Sequence, residues 1–399
     1  MEDKQMNPQQ RPQPAGESKV RKGLILLSRI LVAILTLLLI VTAVIVVVFR
    51  DQVNLDSVKR YLTYQALERN DEGVGAEFDI TADKTNSYAA LDDCLIACSN
   101  NRIQIYSNGG SVYVDMQVSI FDPVILAEGN YALIYDAGGS ELYLFSERQL
   151  IHEYKAEEGS SILSARVNSN GWLVIIEEAA GYKASATVYN DRFQPVMTQN
   201  ISSSFVIDGV VSPDNRKLAL ITIGQEETKF ASTLRIYDCG DGAETVSRVI
   251  SNEPPLDLRW DEDGFWLQEL NCLRRLDDSG SEVGLWEDES LHLQGFSLSG
   301  DGFAVEYYSR YRAGNAGTLM VIDEKGAISA QLDLNEEILP VSASGRYIGV
   351  LTHSGLTIYT SSLNRYAYLD NDTGIVKAIV RSDGTAMLVS EKTASVFLP

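Results

Sequence analysis

Histidine is nearly absent from this chain. Three occur in 399 residues: His152, His292 and His353. They lie far apart, and none has the H-x-x-x-H or H-E-x-x-H spacing of a zinc site. There is no G-x-S-x-G elbow, so a serine hydrolase has no visible nucleophile turn. There is no Walker loop and no dinucleotide fingerprint either. Cysteine is scarce: Cys94, Cys98, Cys239 and Cys272. Cys94 and Cys98 stand four apart on a strand-like run. At ~3.3 Å per residue they are about 13 Å apart, too far to bridge. Cys94 and Cys98 read as small buried hydrophobes, and a Cys239–Cys272 bridge stays open, without support in the sequence.

Positive charge is also short. Lys and Arg number 33 against 55 Asp and Glu, a net −22. Residues 1–50 hold seven Lys/Arg and three Asp/Glu, which leaves −26 on the rest. Such a body repels nucleic acid, and no nucleic-acid partner is expected. The plain meaning of the charge is solubility, and a sharper one is attraction for cationic partners or divalent ions. Several acidic loops, 238–242, 261–264, 277–280 and 370–374, invite a calcium reading. None has the D-x-D-x-D-G spacing with a glutamate at the twelfth position, and Asp-Gly is what tight turns need. No cofactor and no catalytic, cofactor-binding or metal-ligating residue is assigned.

Long apolar runs are missing, with one exception. Residues 30–49, ILVAILTLLLIVTAVIVVVF, contain no charge, no Pro and no Gly. As a helix they are about 30 Å long, the thickness of a bilayer's hydrocarbon core. Arg29 and Ile30 mark one boundary, Phe49 and Arg50 the other. A cleaved signal would be shorter and end in small residues, so a retained transmembrane helix over 24–50, contacting the lipid bilayer, is expected. Lys19, Arg21, Lys22 and Arg29 crowd the N-terminal flank. That bias places residues 1–23, a polar disordered tail, in the cytoplasm and the C-terminal body outside the cell. Residues 51–75 read as a helix near 55–69, capped by Asn54, followed by a Gly-containing joint.

From residue 76 the texture changes. Short apolar runs alternate with turn residues, and no amphipathic helix appears. One turn type recurs at 93, 129, 171, 215, 264, 302, 345 and 384, spaced by 36 to 49 residues. That is close to the ~40–45 residues of a four-stranded propeller blade. The spacing predicts an all-β β-propeller over 76–399. Eight markers give eight blades, and one miscounted marker would leave seven. The last unit stops one strand short. An unassigned strand at 77–83, EFDITAD, is placed to complete it and close the ring. Trp260, Trp266, Trp286 and Phe265 fall in one unit. Alternation puts Phe265 and Trp266 on opposite faces, as inter-blade packing. An exposed aromatic among them would grip a sugar or peptide.

Units such as VSPDNRKLALIT and VSASGRYIGVL resemble WD40-like and quinoprotein-like propeller repeats. The Trp-Asp dipeptide of WD40 blades occurs only as Trp260-Asp261, outside that family's usual place. The layout of basic tail, single span, short helix and propeller resembles an uncharacterised family of single-pass, membrane-anchored propeller proteins, a domain of unknown function found in Gram-positive, clostridial-type bacteria. Propellers place function in the loops around their channel, and the lack of a catalytic constellation favours a non-catalytic binding or scaffolding module at the cell membrane, with a protein or cell-envelope partner. The resemblance assigns no residue a role. A propeller enzyme with residues scattered over blade loops, and an envelope sensor, stay open as alternatives.

Overall fold

The computed structural model describes residues 29–41, 60, 63–65, 67–81, 87–91, 93–226, 229–309, 316–371 and 374–399. The chain divides into two units, Met1–Thr63 and Tyr64–Pro399. In the first, residues 29–41 form a helix whose residues are all exposed. Arg29 and Ile30 lie in it. Residues 24–28 and 42–50 of the expected span, Phe49 and Arg50 among them, lie outside the described residues. Among the described residues no helix is long and apolar enough to cross a membrane.

The second unit is all β. Its described strands form eight four-stranded antiparallel sheets, the blades of a propeller. Blade 1 spans 87–117, blade 2 123–155, blade 3 162–201 and blade 4 205–251. Blade 5 spans 257–287, blade 6 292–334 and blade 7 338–370. Blade 8 joins Lys377–Val380, Ala386–Val389 and Thr393–Phe397 to an N-terminal strand, Phe78–Asp79. All eight sequence markers are the turn between a blade's first and second strands.

The blade pattern follows from burial. Second strands such as Cys94–Cys98 (CLIAC) and Ala386–Val389 (AMLV) are buried along their whole length. Both faces pack on neighbouring blades, so they read as continuous apolar runs. Fourth strands such as Val112–Gln117 alternate between exposed and half-buried, because one face meets water. Apolar clusters fill every junction between adjacent blades. Ile96 and Ile105 meet Ile134 and Phe145 between blades 1 and 2. Leu95 and Tyr106 meet Met387 and Val396 between blades 1 and 8. The ring is therefore packed shut on all sides.

The marker turns are constrained by the same packing. Gly171, at φ 78°, lies over the Tyr131 ring of the preceding blade, and a Cβ there would sit 2.5 Å from it. Gly384, at φ 81°, repeats the contact on Tyr347. Only glycine meets both demands, left-handed backbone and close approach.

Two expectations change at the N-terminal side. Residues 60, 63 and 64 are helical, but the helix does not reach 69. Asn70 Oδ1 accepts from the backbone N–H of Glu72 and Val74, and Arg69 bridges to Gly75, which turns the chain toward the last blade. Residues 55–59, 61, 62 and 66 lie outside the described residues. The strand expected at 77–83 is shorter, Phe78–Asp79, with Phe78 opposite Ala394 and Asp79 opposite Thr393. The Ile80 N–H extends this edge by donating to Lys392 O at 2.9 Å. Residues 82 and 83 lie outside the described residues.

Candidate functional site

Strand direction sorts the loops into two sets. The turns joining first to second and third to fourth strands share one end of the propeller, here the turn end. The turns joining second to third strands and the links between blades share the other, the connection end. Most first strands touch the first strand of the next blade, so they line the central channel.

At the connection end, blades 2 to 5 open into a cavity of about 200 Å³. Its walls include Val124, Leu126, Leu163, Ile207 and Leu256, and its polar groups include Ser164, Arg166, Asp208 and Asp257. Register explains the shape. The first strands of blades 3 and 4, Ile162–Val167 and Phe205–Val211, each carry a bulge, between Ile162 and Ser164 and between Val206 and Asp208. The extra residues, Leu163 and Ile207, line the cavity. A bulge bends its strand and re-aims the side chains beyond it, here Ser164, Arg166 and Asp208.

The polar groups form a staple across three blades. Arg166 donates from Nε to Asp208 Oδ2 at 2.8 Å and from Nη2 to Asp257 Oδ1 at 2.6 Å. Burial weakens the charged guanidinium, but Asp208 and Asp257 more than offset it, so Arg166 stays charged. Asp208 Oδ1 also accepts from Ser164 Oγ and from the Gly209 N–H. Asp257 Oδ1 also accepts from the Leu258 N–H. Among the described residues Asp257 Oδ2 has no hydrogen-bond partner, and the side chain is 34% exposed. Deeper in the channel, Arg259 of blade 5 meets Glu128 of blade 2 at 3.4 Å and donates to Leu298 O of blade 6.

Large apolar side chains stand exposed at this end. Phe121 is 87% exposed, Phe205 58% and Leu256 51%. Phe121 is held by its backbone: its N–H and that of Asp122 donate to Asp136 Oδ1, and its carbonyl accepts from Asn100 Nδ2. Lys183 Nζ sits 4.4 Å above the Phe205 ring. Blade 4 adds a long hairpin, Lys217–Glu226 and Lys229–Asp238, and Phe230 near its tip is 67% exposed.

The residues singled out in the sequence are scattered. His152 stacks on Phe193, His292 begins a first strand and His353 lies 3.7 Å from Glu337, each on a different blade. The four cysteines are free and buried. Phe265 packs between blades 4 and 5 and Trp266 between blades 5 and 6. Neither they nor Trp260 are exposed, so none is available to a sugar or peptide. The acidic loops are turns: Asp238 accepts from the Gly240 N–H and Asp277 from the N–H groups of Ser279 and Ser281. Asp261 holds Arg275 and the Trp266 indole. Residues 372 and 373 lie outside the described residues. Among the described residues no group of three His, Cys, Asp or Glu is placed to hold a metal.

Sequence reasoning missed Arg166, Asp208 and Asp257. Their signal was one charge inside an otherwise apolar first strand, as in ILSARV and FVIDGVV. It also missed a buried polar seam between blades 5 and 6. There Gln268 Nε2 donates to Glu306 Oε1 at 2.6 Å, and Cys272 Sγ donates to Glu269 Oε2 at 2.7 Å. Glu306 is fully buried, and burial pushes its carboxyl up to about 7. The Tyr308 hydroxyl lies next to Glu306 and to the Trp286 indole, and among the described residues Gln268 Oε1 is buried there without a hydrogen-bond partner.

Known structures share the fold. The computationally designed Ika8 protein superposes with a TM-score of 0.59 at 11% identity, over 81% of this chain and 99% of that one. Saccharomyces cerevisiae Sqt1 gives 0.57 at 9% identity, over 81% and 98%. The C-terminal WD40 domain of Sif2 gives 0.55 at 13% identity, over 82% and 96%. At such identities the likeness is one of fold. Comparison with curated protein sequences gave no match. Residues 67–254, blades 1 to 4 with the entering segment, match the model described as Family of unknown function (DUF5711).

Proposed function

We propose that this protein is a non-catalytic binding or scaffolding module, a propeller held at the cell membrane by residues 24–50. The single observation that carries the binding reading is the connection end of blades 2 to 5. It combines exposed Phe121, Phe205 and Leu256 with a cavity that contains a partly exposed carboxylate. Exposed apolar groups gathered on one face mark interaction sites, and propellers place function in loops around the channel. The partner is a protein or another component of the cell envelope. Anchoring rests on the sequence of residues 30–49 and its basic flank: the tail lies in the cytoplasm and the propeller outside.

Crosslinking in intact cells followed by affinity capture tests the binding reading. Full-length protein is compared with a control of residues 1–75. The reading expects partners enriched only with the propeller, and equal recovery with the control would overturn it. Protease added to intact cells tests the placement: the propeller should be cut and the tail protected.

A further inference from the structure

We infer that the connection end over blades 2 to 5 docks an apolar peptide segment carrying one lysine or arginine, whose cation sits in the channel mouth against Asp257. This deepens the binding reading above and rests on it.

Hydrogen-bond accounting points to a single cation. The cavity holds two carboxylates and one guanidinium. Asp208 is satisfied at both oxygens, by Arg166, Ser164 and the Gly209 N–H. Asp257 spends only Oδ1, on Arg166 and the Leu258 N–H. One acceptor, Asp257 Oδ2, is left at the mouth in a group with one negative charge in excess. A cationic side chain completes both the hydrogen bonds and the charge.

The walls select the kind of cation. Val124, Leu126, Leu163 and Ile207 offer no oxygen ligands, so a hydrated metal ion gains little there. They suit the methylene stem of Lys or Arg, which buries against apolar surface while its head group reaches a polar one. Leu256 lines the cavity and is half exposed, and Phe121 and Phe205, exposed at the same end, are anchors for further apolar residues. Phe121 presents its ring from a backbone already pinned at three points, which lowers the ordering cost of binding.

The rim sets the sign of the partner. Glu157, Glu158, Glu178 and Glu253 are exposed in the loops of blades 2 to 5 at this end. Among the described side chains there, Lys155 pairs with Glu141 at 3.8 Å and Lys183 sits over Phe205. An acidic rim repels nucleic acid and anionic lipid surfaces and steers a basic segment inward.

The test uses the full chain in detergent micelles and fluorescein-labelled hexapeptide pools. The pools have one fixed Lys flanked by randomised Leu, Phe and Val, with matched norleucine and glutamate pools as controls. Fluorescence anisotropy should show the Lys pool binding at least about tenfold tighter than either control. Asp257→Asn and, independently, Leu256→Ser should each weaken it by about tenfold. Leu256 is half exposed, so its substitution leaves folding intact. Equal binding of the three pools, wild-type affinity in Asp257→Asn, or no binding by any pool would overturn the proposal. Full competition by n-butylammonium alone would also overturn it, in favour of a small-amine site. If the pools fail while crosslinking in cells still captures a propeller-dependent partner, the binding function stands and this peptide assignment falls.

Discussion

Phe78 stands directly opposite Ala394 in an antiparallel pair. A strand from the start of the second unit thus completes a blade built from its end. The joint is tight: Gly110 lies so close to Phe78 that a Cβ on Gly110 would overlap the Phe78 Cβ.

Two glycine variants measure that joint. Gly110 and Gly159 both have positive φ, 82° and 87°, but nothing lies within 4 Å of a Cβ at Gly159. Gly159→Ala should cost about 1 kcal/mol, the strain of the backbone alone. Gly110→Ala should cost clearly more, because Phe78 must move as well. Its closing strand should also become sensitive to limited proteolysis. Equal unfolding midpoints for the two variants would show that Phe78 does not need its place.

Arg166 holds two carboxylates from neighbouring first strands. Arg166→Leu should therefore cost roughly 1–3 kcal/mol in chemical denaturation, between the exposed and the fully buried case, since it leaves half-buried Asp208 and Asp257 at the channel mouth without a counter-charge. Arg102, exposed and paired with Asp115 on an outer strand, is the contrast. Arg102→Ala should leave the midpoint where it is.

Glu306 ties stability to pH. Its ordinary carboxyl value is 4.5, and burial pushes it up to about 7 in the folded protein. The folded state therefore binds this proton more tightly than the unfolded chain does. The stabilisation is complete below about 4.5 and is lost as pH rises through 7, on the order of 3 kcal/mol in all. Gln268, Tyr308 and Trp286 face it, and none carries a charge near neutrality. Glu306→Gln keeps the acceptor for Gln268 Nε2 and removes the group that titrates. Thermal midpoints at pH 5 and pH 8 should converge in the variant. An unchanged pH slope would contradict the assignment.

The thiols should be inert while the protein is folded. Burial pushes Cys94, Cys98 and Cys239 up to about 12, and Cys272 higher still with help from Glu269. The thiolate is the reactive form. A thiol reagent at pH 8 should find almost no signal in native protein and four equivalents in denaturant. Fast native labelling at any one position would mean that its blade junction opens.

The propeller was legible because its period is written in turns. Six of the eight markers place a glycine at the same point of the blade, with Asp93 and Asn215 at that point in the other two, and the second strand beyond it is mainly apolar. Phe265 and Trp266 were also readable, since strand alternation alone sends them to opposite junctions. The channel mouth was not. Arg166, Asp208 and Asp257 lie about 40 to 50 residues apart, and a one-residue bulge brings the first two into the cavity. A bulge has no reliable signal in a single strand. Glu306 was hidden for a related reason: in FAVEYYS it has the look of an outward-facing residue on an alternating strand, yet this second strand is buried on both faces.

The central claim is that partners engage the connection end of blades 2 to 5. A photo-crosslinking amino acid placed at Phe121, Phe205 or Leu256, and separately at Asp263 or Ser279 on the turn end, tests it in intact cells. The account predicts discrete crosslinked species from the first three positions and none from the last two. Crosslinks from Asp263 or Ser279 with silence at Phe121, Phe205 and Leu256 would contradict it.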